Sequence, residues 1–226
     1  FHLPDGSHTD LLSNSVEGFF AGTPEEFLTF LQALIPNPSA PDPDAFGKAV
    51  AAHPAAAAVF ARIAQRPIPA SYAQTSYFAV HAFRFLAPDG SARFGRYQWV
   101  PEAGEAFLSA EEGAQKAPDF LSRELESRLS TGPAVFRLML QIAAEGDPTD
   151  DCTQLWPADR PVVELGRLEI SSLAADSVQA QKPLVFDPNN LTDGIEPTND
   201  PILLVRKPAY ADSFSIRSAE VGSAPY

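Results

Sequence analysis

The sequence predicts an α+β fold in which antiparallel strands, joined by hairpins, are interrupted by short helices. Residues 76–86 are rich in aromatic side chains, and the turn at residues 88–91 leads them back into residues 92–100. Residues 134–144 and 162–170 are predicted to be two further strands. The 22 prolines are spread along the 226 residues, which favours many short elements over a long-helix bundle.

Hairpin-linked strands must protect their edges, so we expect the sheet to close into a β-barrel or to pack as a sandwich. Residues 1–20 are predicted to form a hairpin around the Pro4-Asp5-Gly6-Ser7 turn. Thr23 and Glu26 form a capping-box pattern at the start of the first helix. We predict helices at residues 24–35, 44–52, 54–65, 120–129 and 210–218, and a linker at residues 39–43.

Composition excludes several classes of protein. The formal net charge of −13 argues against a nucleic-acid binder and against attachment to anionic membranes. No apolar run approaches the about 20 residues that span a bilayer. Cys152 is the single cysteine, so disulfides within the chain and a thiolate zinc site are excluded. The four histidines show no metal-ligand spacing.

The chain begins at Phe1 rather than Met, and we expect the natural protein to extend upstream. Any targeting peptide would lie in that upstream part. The single unpaired cysteine suits either a cytoplasmic or a periplasmic protein.

The C-terminal region contains Arg206 and Tyr210, four positions apart, with Arg217 further along. One interpretation is a surface loop followed by a capped helix, with Tyr210 as an ordinary packing contact. The other is a metal-binding phenol. A phenol loses its proton only near pH 10, and a guanidinium that donates hydrogen bonds to its oxygen favours the ionised form that binds metals.

The wider pattern resembles the haem catalases. Residues 186–201 contain Phe-Asp-Pro-x-Asn-Leu, Gly-Ile-Glu-Pro and Asp-Pro, and residues 206–217 follow as Arg-x-x-x-Tyr-x-Asp-x-x-x-x-Arg. Residues 3–27 resemble the small catalase-related peroxidase branch of that family. The resemblance implies one catalase-like haem-binding domain over residues 1–226, a β-barrel with inserted and flanking helices, that lacks its N-terminal portion and first strands.

The resemblance also implies a role for each matching residue. Tyr210 matches the axial ligand of the haem iron, as catalases use tyrosine, and Arg206 the arginine that hydrogen-bonds it. Asn14 matches the residue that positions peroxide. The other implied haem contacts are Arg217 at a propionate, Phe19, Phe27, His81 and Phe186. From the residues alone, Asn14 could instead be a turn residue, and Phe19, Phe27 and His81 ordinary core residues.

Some family features have no match in this sequence. The distal histidine and the upstream propionate-binding arginines are absent from the 226 residues. Phe214 and Ala158 stand where larger, nucleotide-binding catalases carry histidines, which argues against a bound NADPH.

The resemblance implies an antioxidant hydroperoxidase that contains haem b. We expect it to act on hydrogen peroxide or organic peroxides, with catalase and peroxidase activity equally favoured. The resemblance is also compatible with an organic electron donor as a second substrate and with assembly into a homo-oligomer. The alternatives are a haem-binding module without turnover and an enzyme that rearranges lipid hydroperoxides.

Overall fold

The computed structural model describes residues 1–35 and 42–220. Most of the linker predicted at residues 39–43 lies outside the described residues. None of the described helices has both the length and the apolarity that crossing a bilayer requires. The helices are α1 (Pro24–Leu34), α2 (Ala45–Ala52), α3 (Pro54–Gln65), α4 (Ala110–Ala114), α5 (Phe120–Thr131), α6 (Ser177–Gln181) and α7 (Pro201–Glu220).

The strands form an antiparallel sheet with the order β7-β6-β4-β3-β8, and β2 also pairs with β4. A separate two-stranded sheet joins β1 and β5. The strands are β1 (Ile68–Pro69), β2 (Tyr77–Phe78), β3 (Phe83–Leu86), β4 (Ala92–Pro101), β5 (Phe107–Leu108), β6 (Ala134–Ile142), β7 (Val162–Ile170) and β8 (Ile195–Pro197). The α+β class, the β3–β4 hairpin and the β6 and β7 strands are confirmed as predicted.

The predicted barrel closure is not found in the described residues. The edge strands β7 and β8 lie at opposite ends of the sheet, and no pairing connects them. The β7 edge has another form of protection, because it carries Glu164, Arg167 and Glu169, and charged side chains discourage an edge from pairing further.

Helices α1, α2 and α3 enclose a core of phenylalanines. Thr23 accepts a hydrogen bond from the Glu26 N–H at 3.2 Å, so α1 begins as predicted. The Glu26 carboxylate accepts from Gly22 N–H at 2.8 Å rather than from Thr23. Phe30 is almost fully buried in this cluster. A second core lies between the sheet and α7, where Leu203 packs with Phe83 and Tyr97.

Three other predictions were wrong in detail. Residues 1–20 form a turn with an isolated His2–His8 bridge rather than a hairpin of two strands. The strand predicted at residues 76–86 is interrupted between β2 and β3, and His81 lies in the interruption. The last helix begins at Pro201 instead of near Tyr210, because Asp200 caps its first turn and Pro208 is accommodated inside it.

Candidate functional site

The N-terminus of α7 is fixed by a buried carboxylate. Asp200 is 1% exposed, and its Oδ1 accepts hydrogen bonds from Ile202 N–H at 2.9 Å and Leu203 N–H at 3.3 Å. These are the helix N–H groups that lack partners within the helix, so Asp200 is a conventional N-cap. Its other oxygen, Oδ2, lies 2.7 Å from His81 Nδ1.

His81 connects this cap to Arg206. The ring is 3% exposed, and Nε2 lies 3.1 Å from Arg206 Nη1. A carboxylate only accepts hydrogen bonds, so we assign the ring proton to Nδ1 and leave Nε2 to accept from Arg206. Burial lowers the pKa of His81 below its ordinary value, and the Asp200 hydrogen bond only partly opposes this. The ring is therefore neutral at neutral pH, which this arrangement requires.

Arg206 holds His81 and Tyr210 at the same time. Its Nε donates to Tyr210 Oη at 2.8 Å, and Nη2 donates to the same oxygen. The two residues are four positions apart on α7, a spacing that places side chains on one helix face. Hydrogen bonds from a charged donor are stronger than neutral ones and fix the position of the acceptor. The Tyr210 oxygen is therefore held in place, as a metal ligand must be.

A cavity of ≈ 350 Å³ adjoins this network. Arg206 and Phe186 border it on one side, and the segment that contains Asn14 borders it on the other. The Asn14 backbone is bonded to Phe78 in both directions, at 3.0 and 2.7 Å. Asn14 Oδ1 accepts from Val16 N–H at 2.8 Å, an assignment that leaves the side-chain NH₂ available for another partner.

The other predicted site residues lie further from the cavity. Phe19 and Phe27 pack against each other, with ring centroids 5.7 Å apart, in the helical core. Their predicted role as core residues is confirmed, whereas their predicted contact with haem stays a prediction. The exposed Arg217 reaches Leu184 O at 3.5 Å and lies over the Phe214 ring, so the structure does not bring it to the cavity.

Two residues near the site were missed in the sequence. Asp200 lies 119 positions from His81, and an Asp-Pro pair before a helix was the available signal for its capping role. Cys152 lies beside this pair: Sγ, the carboxylate of Asp200 and the ring of His81 all lie within 4.8 Å of one another. Burial raises the pKa of the Cys152 thiol, which therefore stays protonated.

These residues suit the tyrosine-ligated haem that the resemblance implies. The phenol oxygen of Tyr210 receives two hydrogen bonds, and the cavity wall is mainly apolar. Ser13 also belongs to this wall, although its Oγ is buried away from solvent and has no partner among the described residues.

The fold matches solved catalases. The chain superimposes on a bacterial catalase with a TM-score of 0.82 at 20% identity, over 96% of this chain and 45% of that one. A fungal catalase gives 0.79 at 20% identity, over 91% and 44%. Matches at this identity show the fold alone.

Sequence comparison gives nearer relatives. A catalase-related peroxidase of Mycolicibacterium paratuberculosis is 40% identical over 96% of this chain and 69% of the relative. A protein of the same name from Synechococcus elongatus is 34% identical, and this chain spans 65% of its length. The family model described as Catalase matches residues 2–222. On these matches and this fold, the chain belongs to the catalase family.

Proposed function

We propose that this chain forms the major part of a haem-dependent hydroperoxidase that acts on hydrogen peroxide or organic peroxides. The observation that carries the proposal is the pair of hydrogen bonds from Arg206 to the Tyr210 oxygen. The names of the relatives, catalase-related peroxidase and catalase, support the same reaction class. In this proposal residues 1–226 belong to one haem-binding domain, the group is haem b, and the reductant in the peroxidase reaction is an organic electron donor.

Each residue of the network has a distinct task. The haem, when bound, supplies a redox-active iron at which the O–O bond of a peroxide is cleaved. Tyr210 would hold the iron through its phenol oxygen. Arg206 positions that oxygen through two hydrogen bonds, and His81 with Asp200 fixes the orientation of the guanidinium. The Asn14 NH₂ group donates a hydrogen bond to the peroxide in the cavity.

Proton transfer from the peroxide needs a base that the described cavity lining does not supply. His81 is committed to Asp200 and Arg206, so it is not available for this task. We place the base in the part of the whole protein outside these 226 residues, since the relatives are longer. The lack of a base in the described cavity lining also favours the second candidate, a haem-binding module without turnover. Peroxide turnover by the haem-loaded full-length protein separates the two.

The barrel, like the base, would be completed by parts of the protein outside these 226 residues. The edge strand β7 leaves the apolar side chains of Val162, Val163 and Leu165 exposed. Exposed apolar surface of this kind is stabilised when another element covers it. We place the strands that close the barrel in the remainder of the whole protein, and we regard a homo-oligomer as compatible with this arrangement.

The proposal is tested by Tyr210→Phe in the full-length protein. The variant removes only the hydroxyl, so haem loading, measured by the Soret absorbance, and peroxide turnover should both collapse. Tyr72→Phe, at a tyrosine that is 44% exposed, is the matched control and should retain both. A Tyr210→Phe variant with the wild-type Soret band and rate would refute the assignment of the iron ligand.

A further inference from the structure

We infer that Asp10 is a positioning residue for the peroxide reaction, because its carboxylate joins two chain segments that border the candidate cavity. One of these segments is residues 11–14, which includes Asn14, and the other contains Phe186. The inference rests on the proposed function and adds to it a residue that acts through its neighbours.

The first argument is where the hydrogen bonds of Asp10 lie. Its Oδ2 accepts from Asp187 N–H at 3.0 Å and from Asn190 Nδ2 at 3.2 Å. Asp10 directly precedes Leu11, and Asp187 directly follows Phe186. The bond between the two aspartates therefore lies beside the cavity and limits how far Leu11 and Phe186 can separate.

The second argument is that the turn at residues 187–190 also contacts the α7 side of the cavity. Asn189 Nδ2 donates to Leu203 O at 3.0 Å, and the same helix carries Tyr210. The turn is bonded to the opposite segment through Asp10. It therefore connects the side that holds the proposed iron ligand to the side that holds the proposed peroxide-binding residue.

The third argument is that other bonds keep the segment in the fold without the Asp10 side chain. Thr9 Oγ1 donates to Asn190 O at 2.7 Å, and the Asp10 N–H donates to the same oxygen at 3.1 Å. The Asn14 backbone is bonded to Phe78 in both directions. The Asp10 carboxylate therefore has the finer task of setting position, and small misplacements of substrate-holding groups weaken binding and catalysis.

The experiment compares Asp10→Ala, Asp10→Asn and Asp5→Ala in the full-length protein. Asparagine can keep both side-chain bonds, because one oxygen of Asp10 accepts them both. Asp5 accepts from Ser7 in the nearby exposed turn, so Asp5→Ala controls for the loss of a hydrogen-bonded carboxylate from this part of the chain.

The first readout is the amide hydrogen exchange of Asp187 in the protein without haem. The others are measured in the haem-loaded protein: the Soret band, the Kd for azide per haem, and KM and kcat for hydrogen peroxide. Azide is the probe because it is a small anion that accepts hydrogen bonds.

We expect Asp10→Ala to speed exchange at the Asp187 amide at least about ten-fold, since the acceptor of its N–H is lost. The Soret band should stay that of the wild type, because the bonds from Arg206 to Tyr210 are kept. The Kd for azide and the KM for peroxide should each rise about five-fold, as expected for one neutral hydrogen bond, with a smaller change in kcat. Asp10→Asn should stay within about two-fold of the wild type, because its amide oxygen still accepts. Asp5→Ala should match the wild type throughout.

Faster exchange in Asp10→Ala with unchanged Kd and KM would overturn the inference, because Asp10 would then only stabilise the fold. Equal defects in Asp10→Asn and Asp10→Ala would also overturn it, because the charge and not the hydrogen bonds would then matter. If Asp10→Ala does not fold, Asn190→Ala replaces it. That variant removes one of the two bonds, so Kd and KM should rise about two-fold, and unchanged values would overturn the inference.

These failures leave the proposed function intact, since the wild type still binds haem and turns over peroxide. A wild-type full-length protein that binds no haem would instead refute the proposed function, and this inference with it.

Discussion

The two sides of the cavity differ in how their polar groups are satisfied. On the α7 side, Asp200, His81, Arg206 and Tyr210 form a continuous series of hydrogen bonds between residues of this chain. On the other side, Ser13 Oγ is buried without a partner among the described residues. The polar groups of the α7 side are therefore paired by folding, whereas the Ser13 hydroxyl is left without a hydrogen bond by the part of the chain that the structure describes.

This difference separates two kinds of functional residue. Residues that hold a metal ligand must be in position before the metal arrives, so their own hydrogen bonds stabilise the folded chain. Residues that contact a substrate have hydrogen-bonding groups that stay unpaired until the substrate binds, which lowers the stability of the unbound protein. Substitutions on the α7 side should therefore reduce stability. Substitutions of substrate-contacting groups should change binding with little loss of stability.

The largest effect on stability is expected for Asp200→Ala. The substitution removes the N-cap of α7, worth about 1 kcal/mol, and a hydrogen bond from a buried carboxylate, worth about 2 kcal/mol. Together these predict a loss of about 3 kcal/mol in the free energy of unfolding, measured by denaturant titration. Asp193→Ala, at an exposed aspartate, is the control and should change it by less than about 0.5 kcal/mol.

Asp200→Asn sharpens the same test, because it keeps the size and the helix cap. The new amide N–H would face His81 Nδ1 and move the ring proton to Nε2, where it would meet the Arg206 N–H. We expect a smaller loss of stability than in Asp200→Ala, together with an altered Soret band in the haem-loaded protein. An unaltered Soret band would contradict the link between His81 and Arg206.

The next effect is expected in peroxide turnover, where Arg206→Lys is compared with Arg217→Lys on the same helix. Lysine cannot donate to Tyr210 and His81 with the planar geometry of a guanidinium. Loss of a partner that orients a metal ligand predicts at least about a 10-fold fall in peroxide turnover for Arg206→Lys. Arg217→Lys should change turnover by less than about two-fold, because its contacts here are exposed. Equal losses would instead support the propionate role that the resemblance assigned to Arg217.

The sequence predicted local features of this molecule better than distant ones. The α1 cap at Thr23 and the β3–β4 hairpin depend on neighbouring residues, and both are confirmed. The Arg206–Tyr210 contact was predictable for the same reason, since it spans four positions of one helix. The start of the last helix, predicted near Tyr210, was wrong, because Asp200, ten positions earlier, provides the cap.

Features that depend on long-range contacts could not be predicted. Nothing near Asp200 in the sequence indicates that His81 will meet it. The burial of Ser13 Oγ without a partner among the described residues is a property of the folded chain, which no local pattern encodes. Barrel closure is not found in the described residues, and a local pattern could not have shown this, because pairing between the ends of a sheet depends on every strand between them.

A smaller effect is expected at Gly18, in the segment that follows Asn14. Its φ of +83° is disfavoured for other residues, and an added Cβ would lie 3.0 Å from Leu155 Cδ2. Gly6 has a φ of +87° but no atom within 4 Å of such a Cβ, so Gly6→Ala measures the backbone strain alone. We expect losses of about 2 kcal/mol for Gly18→Ala and about 1 kcal/mol for Gly6→Ala in denaturant unfolding. Equal losses would mean that Leu155 moves aside freely.

The smallest effect is expected at Asp147, a carboxylate that is fully partnered, like Asp200, but lies in the connection between β6 and β7. Arg160 donates to its two oxygens at 2.7 and 2.9 Å, and Ala144 N–H donates at 2.7 Å. The hydrogen bonds from Arg160 make the larger contribution and the Ala144 N–H the smaller one, and together they lower the pKa of Asp147 to about 2. The pKa of an aspartate in an unfolded chain is about 3.9, so this pairing stabilises the fold fully above about pH 4.

The contribution of Asp147 must then be lost as the pH falls from about 4 to about 2, through the pKa of the folded state. Asp147→Asn should therefore be less stable than the wild type at pH 6, and the difference between their denaturant midpoints should shrink at pH 4 and again at pH 3. Asp159, which also contacts Arg160 but has an 81% exposed side chain, provides the control, since Asp159→Asn should differ little from the wild type at each pH. A difference for Asp147→Asn that stays constant from pH 6 to pH 3 would mean that its hydrogen bonds, and not its charge, stabilise this connection.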